Sequence, residues 1–217
     1  MISFNSISFP LFLCYNVKRY KYIINTEGQA VNMAQTNTSK IILTALMMGI
    51  IIVSTMMIRV PIPFTQGYVH LGDGMIFIGV LILGWKYGAV AGGIGSMLGD
   101  VIGGFAMWAP WTLAIKGSMA LIMGLFIAFA AKKERSRIQM VVMQLAGMIF
   151  AGLFMVIGYF VAEGLMYGNW VVAALGIPWN IGQFAVGMVI AAAIEAALYK
   201  TPAGKMFEYR TGRDKHS

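Results

Sequence analysis

Six stretches of this 217-residue chain carry at most one charge each: residues 41–58, 74–83, 87–108, 113–131, 140–162 and 177–199. A helix needs about 20 mainly apolar residues to cross a bilayer, and five of the six meet that length unaided. The second is short. It approaches spanning length as residues 69–85, with His70 and Asp73 at a polar mouth. A chain that is 59% hydrophobic and 11% charged cannot cover itself with an ordinary water-facing surface. The expected fold is therefore an all-α integral membrane protein with six transmembrane helices. Five helices with a re-entrant segment is the alternative. Turns are expected at Pro61-Ile62-Pro63, Gly84-Trp85-Lys86, Ala109-Pro110 and Gly176-Ile177-Pro178.

The net charge of +8 would suggest nucleic acid in a soluble chain. Its placement here suggests topology instead. Six helices leave both termini on one side, together with Lys86 and the basic loop at 132–137. That side collects Lys18, Arg19, Lys21, Lys40, Lys86, Lys132, Lys133, Arg135, Arg137, Lys200, Lys205, Arg210, Arg213 and Lys215. The opposite side holds only Arg59, and Lys116 falls inside a helix. Positive residues mark the cytoplasmic face, so both termini are expected to be cytoplasmic and no nucleic-acid partner is implied.

Three regions follow. Residues 1–39 read as a flexible extension, with Met33 as a candidate working initiator. Residues 40–200 form the six-helix membrane domain, and 201–217 a basic cytoplasmic tail. Cys14 is the sole cysteine, so no intrachain disulfide or Cys-based metal cluster is available.

The residues that resist a purely apolar setting are the candidates for function, because charge inside a membrane is costly. Asp100 and Lys116 are expected at matching depth on consecutive antiparallel helices. Either they lock the helices as an ion pair, or one or both bind a polar ligand. His70 and Asp73 open the second helix, and Trp108 and Trp111 flank the third-to-fourth turn. Tyr159 and Glu163 end the fifth helix, and Trp179, Asn180 and Gln183 begin the sixth. An apolar pocket with convergent polar groups and aromatic faces suits a small heterocycle. For the tryptophans, an interfacial aromatic belt is the competing account. The glycines of 88–104 are expected to allow close helix packing, and Ala45 and Gly49 form a small-residue face on the first helix.

With His70 and His216 alone, a His-based zinc site is unsupported, and neither a nucleotide-binding loop nor a hydrolase elbow is present. No metal, cofactor or catalytic constellation is expected. A self-sufficient secondary transporter, with Asp100 and Glu163 coupling protons, is a competing reading.

Between residues 40 and 199 the sequence resembles the substrate-binding S components of energy-coupling factor (ECF) vitamin transporters. The likeness is carried by His70-Leu-Gly-Asp73-Gly74, by Gly99-Asp100-Val-Ile-Gly-Gly104, and by the run from Trp108 through Pro110, Trp111 and Lys116 to Gly117. It looks closest to the branch for hydroxymethylpyrimidine or vitamin B6 forms, with pantothenate or riboflavin as alternatives. The resemblance implies capture of a small water-soluble vitamin from outside. Its implied partners are a transmembrane coupling subunit, docked at Ala45 and Gly49, and two cytoplasmic ATPase subunits. Residues 59–71 would act as a lid. Asp100, Lys116, Asn180 and Gln183 would be polar contacts, and Trp108, Trp111 and Trp179 would stack on the ligand or close the mouth.

Overall fold

The computed structural model describes residues 38–63, 67–132, 136–199 and 201. The expected N-terminal extension and C-terminal tail lie almost wholly outside them. Contacts divide the chain into Met1–Ile42 and Leu43–Ser217. Every contact discussed below lies within the second unit; of the first, residues 40–42 begin the first helix.

The regular structure of the described residues is helical apart from one short ribbon. The elements are α1 (Lys40–Met57), β1 (Arg59–Pro61), β2 (Tyr68–His70), α2 (Gly72–Ile102), α3 (Ala109–Ala130), α4 (Arg137–Tyr167) and α5 (Trp170–Tyr199). Among the described residues, five helices are long and apolar enough to cross a membrane. The strands pair antiparallel, with Arg59 opposite His70 and Pro61 opposite Tyr68. Within the stretch expected as a lid, residues 59–61 and 68–70 thus pair as a short ribbon beside an otherwise helical membrane fold.

The expected second and third helices occur as one element, α2, broken at Gly84. There φ is 77° and ψ is 177°, a conformation essentially closed to residues with a Cβ. The two halves fold back on each other. A Cβ at Gly88 would lie 2.8 Å from the Val80 Cα, and one at Gly92 would lie 3.0 Å from the Ile76 side chain. In a straight helix residues 76 and 92 would stand roughly 24 Å apart. Gly124 on α3 leaves room for Trp85 just after the break.

Inside a bilayer, apolar burial gives helices little reason to associate, so close approach of small residues carries much of the packing. The glycines of α2 divide that work among three neighbours. Gly88 and Gly92 face the first half of α2, Gly93 faces Gly117 of α3, and Gly95 and Gly99 face Met48 to Thr55 of α1. The packed pairs α2–α3, α3–α4, α4–α5 and α5–α2 close a ring. Its interior is filled by side chains such as Phe77, Met119, Met123, Met148 and Met155. Large apolar groups such as Phe129, Val171 and Val189 point outward, as lipid-facing residues do.

Two boundaries depart from the expected turns. Ser136 and Gln139 form a capping box that starts α4, and Gly168 ends it at φ 66°. The Asn169 side chain then accepts from the backbone N–H groups of Val171 and Val172, which starts α5. Helix α5 accordingly runs through Gly176-Ile177-Pro178, where a turn was expected. Proline is tolerated within membrane helices because neighbouring groups satisfy the freed backbone. In the other departure, α2 stops at Ile102 and Gly103-Gly104 turn the chain, whereas the apolar run continues to Trp108.

Candidate functional site

The polar residues converge at one end of the ring in two connected layers. The inner layer is a fully buried ion pair. Lys116 Nζ donates to Asp73 Oδ1 at 2.5 Å, and both side chains have 0% exposure. Gln183 Nε2 donates to Asp73 Oδ2 at 2.9 Å, so both carboxylate oxygens are engaged. Met155 sulfur lies 2.8 Å from Lys116 Nζ. Gly187 makes the arrangement possible: a Cβ there would lie 2.8 Å from the Asp73 Cβ. Helix α5 thus approaches the first turn of α2 closely enough for Gln183 to reach Asp73.

The expectation that Asp100 and Lys116 lie at matching depth is corrected, and of the two alternatives left open for them the mutual ion pair is not formed: Lys116 pairs with Asp73. Because α2 ends at Ile102, Asp100 lies roughly 3 Å inside its helix end, whereas Lys116 lies roughly 10 Å inside the start of α3. The two are at different depths. Folding back at Gly84 instead brings Asp73 to the level of Lys116.

The outer layer surrounds a small cavity of about 20 Å³, room for about one water. Ile62, Gly67, Tyr68 and His70 line it from the ribbon, and Asp100 from α2. Trp108 and Thr112 line it from the start of α3, Tyr159 and Glu163 from α4, and Asn180 and Gln183 from α5. Tyr68 Oη donates to Asp100 Oδ1 at 2.5 Å. Thr112 and Tyr159 share a hydroxyl hydrogen bond at 3.2 Å. Trp108 and Tyr159 have ring centroids 6.1 Å apart and are tilted by 57°. Asn180 Nδ2 donates back to the Gly176 carbonyl at 3.1 Å.

The ribbon is tied to both layers. His70 N–H donates to Gln183 Oε1 at 3.0 Å, so one amide bridges ribbon and ion pair. His70 Nδ1 accepts from the Gly72 N–H, which requires an unprotonated nitrogen there. Burial, followed by the Lys116 charge, pushes the imidazole down to about 3 against the opposing pull of Asp73. Burial, then the neighbouring Asp100 charge, raises the Tyr68 phenol well above its ordinary value. Arg59 braces the other strand, donating to the carbonyls of Thr55 at 3.2 Å and Gly103 at 3.1 Å. Its guanidinium also lies over the rings of Tyr68 and Phe105.

Of the residues singled out in the sequence, His70, Asp100, Trp108, Tyr159, Glu163, Asn180 and Gln183 line the cavity. Lys116 lies beneath it, engaged with Asp73. Trp111 is half-buried against the core and does not line the cavity. Trp179 is 38% exposed and lines an apolar groove of about 450 Å³ between the ribbon and α5. Ala45 and Gly49 lie on the outward face of α1, with open space around Gly49. Sequence reasoning did not single out Tyr68 or Thr112. It left Asp73 at the mouth, although Asp73 stands within the same short motif as His70.

Comparison with known proteins gives this geometry a context. Residues 35–200 match the family model described as ECF-type riboflavin transporter, S component. The chain is 29% identical over 170 residues to the thiamine precursor transporter HmpT of Lactococcus lactis subsp. cremoris, covering 78% of this chain and 93% of that protein. It is 40% identical over 116 residues to an uncharacterized protein of Pyrococcus woesei, covering 54% of this chain and 72% of the relative. A solved structure, described under the words "Structure and mechanism of the S component of a bacterial ECF transporter", shares the fold. Its TM-score is 0.54 at 21% identity, covering 76% of this chain and 99% of the other. The buried polar layers thus belong to a multi-pass membrane transport protein, and the chain is a member of the S components of ECF-type transporters, which serve vitamin uptake.

Proposed function

We propose that the chain is the high-affinity capture subunit of an ECF-type importer in the cell membrane. Its substrate is a small water-soluble vitamin or precursor, hydroxymethylpyrimidine or pyridoxine/pyridoxal, taken up from outside. The observation that carries this reading is the cavity at one end of the ring, where Trp108 and Tyr159 supply aromatic faces and Asp100, Glu163, Asn180 and Gln183 supply polar contacts. Similarity to a thiamine precursor transporter supports a pyrimidine. The cavity has room for about one water, so ligand entry moves the ribbon and Tyr68 outward.

In this reading the fold-back at Gly84 gives six membrane-crossing segments with both termini cytoplasmic. Lys86 at the bend and Lys132 after α3 then lie on the inner side, and Arg59 on the outer. The chain is a transport subunit without catalysis of its own; a transmembrane coupling subunit and two ATPase subunits energise release. Ala45 and Gly49 offer α1 to the coupling subunit.

Reconstitution tests the assignment. Purified chain in vesicles binds labelled hydroxymethylpyrimidine or pyridoxine and accumulates none, and accumulation begins when the coupling and ATPase subunits are added with ATP. Sustained ion-driven accumulation by the chain alone would sink the reading and favour a secondary transporter.

A further inference from the structure

Most polar groups around the cavity are already committed. Tyr68 donates to Asp100, Gln183 joins His70 to Asp73, Asn180 bonds the Gly176 carbonyl, and Thr112 bonds Tyr159. Two are not. Trp108 Nε1 and Glu163 Oε2 find no hydrogen-bond partner among the described residues. Both side chains are almost wholly buried, at 4% and 1% exposure, and both line the same cavity. Gly176 makes space for the carboxyl group, since a Cβ there would lie 2.6 Å from Glu163 Oε2. Leaving a buried donor unpaired is costly and leaving a buried charged group unpaired more so, so orphans of this kind call for a ligand that completes them.

The two orphans have opposite demands. Trp108 offers one N–H and requires an acceptor, whereas an ionised Glu163 offers only lone pairs and requires a donor. Charge sharpens this requirement. The described lining contains two carboxylates, Asp100 and Glu163, and no Lys or Arg. The buried cation beneath, Lys116, already faces Asp73. His70 holds its Nδ1 unprotonated toward Gly72. A carboxylate or phosphate ligand would therefore face two carboxyl groups, with no cation in the lining to offset its charge.

We infer that Glu163 is the specificity-determining acceptor for an amine or protonated ring nitrogen on a heteroaromatic ligand, that Trp108 donates to an acceptor on the same ligand, and that the site rejects anionic forms. This rests on the capture reading above and narrows it to amino-bearing or cation-prone heterocycles.

The test is titration calorimetry on the full chain in detergent. The probes are 4-amino-5-hydroxymethyl-2-methylpyrimidine and its 4-oxo counterpart, then pyridoxamine and pyridoxamine phosphate. The wild type is expected to bind each amino, unphosphorylated member at least about tenfold tighter than its counterpart. Glu163→Gln is expected to weaken the aminopyrimidine by about 10- to 100-fold and the oxo compound by less than about 3-fold, the scale of a hydrogen bond to a charged group. Thermal unfolding monitors the fold. Should Glu163→Gln fail to fold, Glu163→Asp carries the measurement, with an expected loss of at least about 5-fold for the amino compound alone. An amino preference that survives in the folded variant overturns the inference and leaves capture standing. So does a wild type that binds the oxo or phosphorylated member equally well. Binding of no probe overturns the inference and the proposed substrates together.

Discussion

Replacing Lys116 by Met isolates the energetics of the inner layer. At 2.5 Å the Lys116–Asp73 attraction is about 7 kcal/mol for an effective dielectric of about 20. Removing two ions from water costs several kcal/mol each, so the intact pair contributes little net stability. Breaking it is different. Lys116→Met leaves the Asp73 carboxylate at 0% exposure with Gln183 as its remaining side-chain hydrogen-bond donor among the described residues. The expected cost is about 3–5 kcal/mol. For a chain of this size that lowers Tm by roughly 6–20 °C. Thermal unfolding followed by tryptophan fluorescence in detergent measures it. The double variant Asp73→Asn/Lys116→Met removes both charges and is expected to recover most of the loss. It is also expected to bind the wild-type ligand within a few-fold, because Lys116 lies below the cavity. A single variant that melts within about 3 °C of wild type would refute the buried-charge argument. A well-folded double variant with ligand affinity reduced more than tenfold would move Lys116 into the binding site.

Gly84→Ala forces a Cβ into a backbone state at φ 77° and is expected to cost about 1–3 kcal/mol in the same assay, while Gly182→Ala, with open space around it, is neutral. Arg59→Ala removes the brace on β1; ligand release measured by stopped flow is expected to quicken roughly tenfold, and an unchanged rate would detach the ribbon from gating. His70 is buried in its neutral form, with its pKa lowered from 6.5 to about 3. Its contribution to stability is whole above about pH 6.5 and falls by about 1.4 kcal/mol per pH unit as the pH drops toward 3, a slope that His70→Asn should abolish in acid melts. Gly49→Leu fills the open face of α1; it is expected to leave ligand titrations unchanged and to abolish co-purification with the coupling subunit.

The membrane class and most of the apolar spans were legible in the sequence because lipid imposes a length and a near absence of charge on each crossing. The same scarcity made the few polar residues conspicuous, and seven of those singled out do surround one cavity. Tertiary structure decided how they connect. Hydropathy marks 87–108 as one run, whereas Gly103-Gly104 end α2 at Ile102 and place Asp100 too shallow to meet Lys116. Hydropathy also offers Gly176-Ile177-Pro178 as a turn, yet Asn169 starts α5 earlier and carries Asn180 and Gln183 inside one continuous helix. The identity of the Lys116 partner depended on a single backbone reversal at Gly84 and on the clearance at Gly187. Composition can set which residues must find partners, because an unpaired charge in lipid is costly anywhere along the chain. Which partner each finds depends on the depth and register of packed helices, and those are set by local turn geometry and by glycines that no hydropathy sum distinguishes from other apolar residues.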